Sequence, residues 1–293
     1  MKKQVRIRHL ICVCFVSLAA SAFAATTIDH AHPYAYSANT GWINAEGDTA
    51  HGAVIGESYC SGYIYSANCG WIALGAGSPT NGWHYNNTTA NDWGVNHDGH
   101  GNLTGYAYGA NIGWINFEQT YGQPKIDLSS GNLSGSIWSA NTGWISLSNA
   151  QAYVRTETLD AGPDSDADGI PDPWEYRETG NLATLSGNGH DQDGDGASDA
   201  EEYAADTDPT DSGDRLEITA FTVNGDTNNL TWTVKTTRQY TLEQSDELTA
   251  TNINWTTAIP AFIPSSEPTA NKTITGVTAS NHFYRVKAKP PLN

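Results

Sequence analysis

The sequence predicts a mainly β protein in three pieces: an N-terminal domain of repeated β-hairpins, an acidic loop spacer with short helices, and a C-terminal β-sandwich. Three observations predict it. A ten-residue pattern with strand-like alternation occurs four times between residues 25 and 150. The segment from Glu157 to Asp214 is crowded with Asp and Glu and contains one base, Arg177. From Arg215 onward, short alternating segments are separated by turn-rich pieces. The expected boundaries are 1–24, 25–156, 157–214 and 215–293.

The first piece reads as a secretory signal. Lys2, Lys3, Arg6 and Arg8 precede an apolar run from Leu10 to Ala20, then Ala22-Phe23-Ala24. A basic end, a short apolar core and an A-x-A site are the parts of a signal peptide cleaved after Ala24. The run is shorter than the roughly 20 residues a membrane helix needs. An exported protein is therefore expected, in the extracellular space, on the cell surface or in a periplasm, with no membrane span after signal removal. Its formal charge of −18 falls to −22 without the four signal bases. Such a chain has no clustered Lys and Arg to bind phosphates, which excludes nucleic acid as a partner. Attachment to anionic lipid is excluded on the same ground.

Residues 25–156 carry the repeat. The copies read YAYSANTGWI (Tyr34–Ile43), YIYSANCGWI (Tyr63–Ile72), YAYGANIGWI (Tyr106–Ile115) and SIWSANTGWI (Ser136–Ile145). Alternation at period two is a strand signal. Asn and Gly tolerate positive φ, so Ala-Asn-x-Gly suits a tight connection between two strands. Each copy is a hairpin. Another short strand is expected before copies two, three and four, at Ala53–Ile55, Gly94–His97 and Pro124–Asp127. Stacked repeats bury equivalent residues in layers. On that basis Trp42, Trp71, Trp114 and Trp144 are expected in the core. Trp83 and Trp93, beside an insertion around Gly77–Asp92, are the expected exposed aromatics, and sugar rings are the ligand such platforms suit. His30, His32, His51, His84, His97 and His100 show no repeated ligand spacing and read as turn or surface residues. The SANxGWI pattern resembles repeats of secreted bacterial proteins over most of residues 30–150, which implies a shared fold and no particular activity.

Two of the four cysteines, Cys12 and Cys14, leave with the signal. An exported pair such as Cys60 and Cys69 is expected to form a disulfide. Cys60 aligns with Leu103 and Leu133, and Cys69 falls in the hairpin turn.

The acidic spacer has internal order. Asp164, Asp166, Asp168, Asp172 and Glu175 stand at positions 1, 3, 5, 9 and 12 of one loop, with Gly169 at position 6. Asp191, Asp193, Asp195, Asp199 and Glu202 repeat the pattern further along the spacer, with Gly196 at position 6. Calcium takes six to eight hard oxygens, and alternate side chains of a tightly curled loop converge on one point. Position 7 offers a backbone carbonyl, here of Ile170 and Ala197. Two Ca2+ ions are expected, making this a calcium-loop spacer. Short helices are expected after each loop, with Tyr176 and Tyr203 in equivalent places and available to pack together. No helix enters either loop. The DSDADGIPDPWE and DQDGDGASDAEEYAADTDPTD stretches therefore resemble thrombospondin type 3-like (EF-hand-like) repeats, with dockerins the next nearest. That resemblance implies structural calcium in an extracellular spacer.

Strands are expected near Leu216–Val223, Leu230–Val234, Tyr240–Leu242, Trp255–Thr257, Thr273–Thr275 and Phe283–Val286. Six or seven short strands in a segment of this length suit a sandwich. The YTLEQSDELT, NW and FYRV pieces resemble a fibronectin type III or immunoglobulin-like module, which implies no specific function. No nucleophile elbow, zinc-protease helix or phosphate loop occurs. A carboxylate pair of the glycosidase kind remains open among Glu46, Asp48, Glu57, Asp92, Asp98, Glu118 and Asp127. The expected function is an exported calcium-binding structural or adhesive protein with a cell-surface protein or glycan as partner. The alternative is a carbohydrate-binding or carbohydrate-active protein using the aromatic repeats.

Overall fold

A computed structural model describes residues 26–48, 50–248, 253–277 and 282–293. The expected signal peptide, with Cys12 and Cys14, lies outside the described residues.

The repeat builds strands where its alternation falls. β1 (Ile28–Ser37) and β2 (Gly41–Asn44) form the first hairpin. Short β3 (Val54–Ile55) and β4 (Cys60–Ser61) pair before the second, which joins β5 (Tyr63–Ser66) to β6 (Gly70–Ala73). β7 (Val95–His97) precedes the third, β8 (Leu103–Gly109) with β9 (Gly113–Phe117). β10 (Lys125–Ile126) and β11 (Leu133–Ser134) precede the fourth, β12 (Ser136–Ser139) with β13 (Gly143–Ser146). β14 (Val154–Thr156) returns along β1. Each hairpin pairs with the next, in the order β1-β2-β5-β6-β8-β9-β12-β13, and β13 pairs back onto β1. The result is a closed eight-stranded antiparallel barrel. Its four inter-hairpin registers are equivalent: Asn44 opposite Tyr65, Ala73 opposite Tyr108, Asn116 opposite Trp138, and Ser146 opposite Tyr36.

The hairpin turns explain the rest of the motif. The repeated glycine has φ near +75° in every copy, for example +73° at Gly41 and +76° at Gly70, a conformation costly for other residues. The motif asparagine works between copies. Asn68 donates to the Thr40 carbonyl, Asn111 to Cys69, Asn141 to Ile112, and Asn39 to Thr142, at 2.9 to 3.0 Å. Four hydrogen bonds thus run in a ring around one end of the barrel.

The buried layer differs from the expectation. Ile43, Ile72, Ile115 and Ile145 are fully buried, facing Ala35, Ile64, Ala107 and Ile137 across their hairpins. Trp42, Trp71, Trp114 and Trp144 lie on the outer wall, 43–48% exposed. Adjacent residues on a strand point to opposite faces, so Trp-Ile sends one inward and one outward. The interior of an eight-stranded barrel is only just wide enough for a layer of side chains. Four isoleucines fit there, and four indoles do not.

The expected disulfide is also corrected: Cys60 and Cys69 are both free and buried. Cys60 fills the inward slot that Leu103 and Leu133 fill in later copies, and burial pushes its thiol up to about 12. Cys69 fills the turn-end slot of Thr40, Ile112 and Thr142. Those slots are separated by the length of β5. Its four residues alone extend roughly 10 Å at ~3.3 Å per residue, beyond the roughly 7 Å Cα limit for a bridge.

The spacer contributes α1 (Asp172–Glu178) and α2 (Asp199–Ala205). The C-terminal strands are β15 (Ile218–Asn224), β16 (Thr227–Thr233), β17 (Gln239–Ser245), β18 (Thr256–Phe262), β19 (Thr269–Ile274) and β20 (Phe283–Lys289). They form two three-stranded sheets, β15-β16-β19 and β18-β17-β20. Leu230, Trp232, Val234, Tyr240 and Leu242 make the core between them, which Ala205 of α2 joins.

Two measurements check the barrel. Ile72→Ala removes a fully buried side chain and should cost about 2–5 kcal/mol in urea unfolding. Trp71→Ala, despite the larger deletion, should cost about 1 kcal/mol, the scale of a surface cross-strand pair. The thiols should resist alkylation in the folded protein, and both should be labelled on unfolding without reductant.

Candidate metal centres

Both acidic loops fold the same way, and their own amides set the curl. Asp164 accepts from the amides of Asp168 and Gly169, at 3.2 and 3.0 Å. Asp191 accepts from Gly194 and Gly196, at 2.7 and 2.9 Å. Gly169 and Gly196 turn the chain at φ +99° and +97°. At the seventh position, Ile170 donates its amide to Asp168 and Ala197 donates to Asp195, at 2.8 and 2.7 Å. The carboxylates of Asp164, Asp166 and Asp168 each bring an oxygen within 4.8 Å of the others, as do Asp191, Asp193 and Asp195.

Each helix then returns a glutamate to its loop. α1 starts at Asp172 behind Pro171, with Pro173 in its first turn, where a missing N–H costs nothing. α2 starts at Asp199 behind Ser198, which forms a capping box with Glu201. Residues three apart share a helix face, so Asp172 with Glu175, and Asp199 with Glu202, point the same way.

The two members of each pair do different work. Asp172 accepts from the amide and hydroxyl of Ser165, at 2.7 and 2.5 Å. Asp199 accepts from the amides of Ser186 and Gln192 and from His190 Nδ1, at 2.8 to 2.9 Å. These ninth-position carboxylates brace the loops. Glu175 and Glu202 are fully buried. Among the described residues, neither oxygen of Glu175 has a hydrogen-bond donor, nor does Oε2 of Glu202. Asp193 Oδ2 and Asp195 Oδ2 are likewise buried without a donor.

Buried, unpaired carboxylate oxygens among like charges are costly. Burial first, then the neighbouring Asp168 and Asp166, push Glu175 up to about 8. Burial with Asp193 and Asp195 does the same to Glu202. Asp166 and Asp193 are raised by burial and by the adjacent loop carboxylates. A bound divalent cation reverses this logic, because its charge favours every ionised ligand. The donor set fits calcium: three aspartates plus a glutamate able to bind through both oxygens, all hard ligands. Magnesium, which keeps most of its water and uses one or two carboxylates, fits less well.

The loops are tied to each other. Ser186 donates to Asp199 of the second loop, and its neighbour Gly187 donates to Asp168 of the first at 2.8 Å. Ile170, Trp174 and Leu185 form a small core against Ala200 and Tyr203. Tyr203 meets Trp174 edge-on at 5.6 Å, not Tyr176 as the sequence suggested. Tyr176 instead covers Gly82 in the barrel's insertion, where any side chain would collide with its ring.

Sequence reasoning missed a buried charged junction beside the loops. Asp206, left-handed at φ +59° after α2, accepts from Trp174 Nε1, Arg177 and Thr237 and lies 3.4 Å from Arg238. Burial alone would raise its carboxyl, but Arg238 and Arg177 outweigh it and hold it far below the usual range. Arg238 also approaches Glu57 of the barrel at 4.0 Å, and Tyr203 donates its hydroxyl to Glu57 at 3.2 Å. The available signal was Arg177, the one base in the acidic segment.

The other carboxylates singled out in the barrel sequence are engaged locally. Asp92 accepts from Thr80 and Asn86, Asp98 from His100 and Asn102, Glu118 from Thr120 to Gly122, and Asp127 from Ser129 and Ser130. Glu46 contacts His30, and Asp48 contacts His51. His97 is buried between the Gly56 carbonyl and the Gly101 amide. The chain matches no protein-family model, no curated protein and no solved structure.

A carboxyl raised in the folded state gives stability that is complete below its ordinary value and lost as pH rises through the raised one. In chelator, the thermal midpoint should therefore fall between about pH 4.5 and about pH 8 through Glu175 and Glu202. A Glu175→Gln, Glu202→Gln double variant should flatten that fall in thermal melts at stepped pH.

Proposed function

We propose that this chain is an exported calcium-binding structural or adhesive protein, in which two calcium ions rigidify the segment between barrel and sandwich. One observation carries the reading. Glu175 and Glu202 are driven into the interior with three of their four carboxylate oxygens satisfied by no donor among the described residues, each behind three converging aspartates. Stable folds rarely tolerate such oxygens without a partner.

In the first loop the ligands would be Asp164, Asp166, Asp168, Glu175 and the Ile170 carbonyl. In the second they would be Asp191, Asp193, Asp195, Glu202 and the Ala197 carbonyl. The ion supplies positive charge that relieves carboxylate repulsion. Asp172 and Asp199 orient the loops, and Gly187 links the two sites through Asp168. The resemblance of both loops to thrombospondin type 3-like repeats supports the same reading, as does the signal-like N-terminus. Mechanically, ordering α1 and α2 orders the buried junction of Arg177, Asp206, Arg238 and Glu57, which reaches both flanking β structures.

Calorimetric titration of the mature protein should reveal two calcium sites. Asp164→Ala and Asp191→Ala should each remove one. Free calcium at 100 times the dissociation constant should add about 2.7 kcal/mol per site to the folding stability. Magnesium at the same concentration should give less. Absence of calcium binding up to millimolar concentration would overturn the proposal.

A further inference from the structure

We infer that the outer wall of the barrel is a multivalent binding surface for uncharged polysaccharide, with one aromatic platform on each hairpin. The inference is independent of the calcium loops and starts from the inversion of Trp and Ile. Outward cross-strand pairs recur with nearly one geometry. Tyr36 meets Trp42 at 5.0 Å and 63°, and Tyr108 meets Trp114 at 4.9 Å and 61°. The second and fourth hairpins repeat this at 4.9 Å and 58° and at 5.0 Å and 61°.

The repeat keeps the outward Trp after the turn as strictly as the inward isoleucine beside it: both recur in all four copies, whereas the inward position opposite isoleucine alternates between Ala and Ile. Packing accounts for the isoleucine but not for an indole on the wall. In the hairpin registers isoleucine is confined to the inside, and Tyr and Trp to the outside. Tyr and Trp combine an apolar face with a polar edge, the combination a sugar ring presents in return.

Charge narrows the ligand. Across the eight barrel strands, no outward position in the paired hairpin registers is charged, on a chain of net charge −18. A polyanion would meet overall repulsion, and a polycation would find no carboxylate within these registers.

Shape narrows it further. At about 40% exposure, a side chain of roughly 200 Å² offers roughly 80 Å². A flat partner touching one or two hairpins of a convex barrel would cover far less than the roughly 800 Å² per side of a stable protein interface. Strands of four residues, such as β5 and β13, are also too short for the roughly 9–11 residues of a membrane-spanning strand. A thin chain lying across one hairpin needs little area. Platforms facing four directions add avidity and join separate chains.

The test is depletion of intact protein by washed microcrystalline cellulose, chitin, insoluble xylan and insoluble β-1,3-glucan, with and without chelator. Retention on at least one polymer is expected, unchanged by chelator and released by the matching soluble oligosaccharide. Trp42→Ala should weaken retention several-fold, and Trp42→Ala with Trp114→Ala more than 10-fold, both with wild-type circular dichroism. Failure to bind all four polymers would overturn the inference. So would retention that survives the double variant in folded form, or a wild-type dimer in light scattering that Trp42→Ala dissociates. Should a variant misfold, oligosaccharide release of the wild type decides the matter, since retention that the sugar does not reverse is also a refutation.

Discussion

The width of a small closed barrel governs the N-terminal half of this protein. Eight short strands leave room for one layer of medium side chains. Isoleucine fills that layer, serine or glycine fits beneath the turns, and every aromatic ring of the motif is expelled to the wall. The exposed aromatics are thus a geometric consequence of strand alternation once the interior is assigned to isoleucine. The two cysteines follow the same constraint. Each replaces a different inward residue of the repeat, so each is buried in its own slot and out of reach of the other.

A second constraint governs the middle. The spacer concentrates carboxylates and then buries several of them, which protein donors only partly offset. Where donors exist, as at Asp172 and Asp199, the carboxylate shapes a loop. Where arginines exist, as at Asp206, it anchors a junction. Glu175 has neither and Glu202 only a long hydrogen bond from Thr207, and burial among like charges pushes both up to about 8. One acidic segment thereby contains three distinct solutions to buried charge.

The local elements were legible because each is written in short-range chemistry. Ala-Asn-x-Gly gives a turn, and alternation gives strands, including the small ones at β3, β7 and β10. The spacing of Asp164 to Glu175 and Asp191 to Glu202 gives two equivalent loops. What stayed hidden depended on closure. Whether Trp42 or Ile43 faces inward cannot be read from alternation alone, since either register is consistent with it. The separation of Cys60 from Cys69 was hidden for a related reason. Alignment within the repeat locates a residue along a strand but not the inward slot it occupies relative to another. The junction joins Glu57 to Asp206 and Arg238, residues of the barrel, the spacer and the sandwich, and no local pattern encodes such a meeting.

The ring of motif asparagines limits how this fold is assembled. In an open repeat array each unit leans only on its neighbours, and copies are added or lost at the ends. Here Asn39 of the first copy donates to Thr142 of the last, and Ser37 pairs with Ile145. The first hairpin lacks one of its two neighbours until the fourth has been synthesised. Copy number is therefore a property of the circle: a fifth hairpin would not lengthen the structure but would demand a wider barrel with a different interior. The gene records four tandem units, yet the folded object has no first or last one.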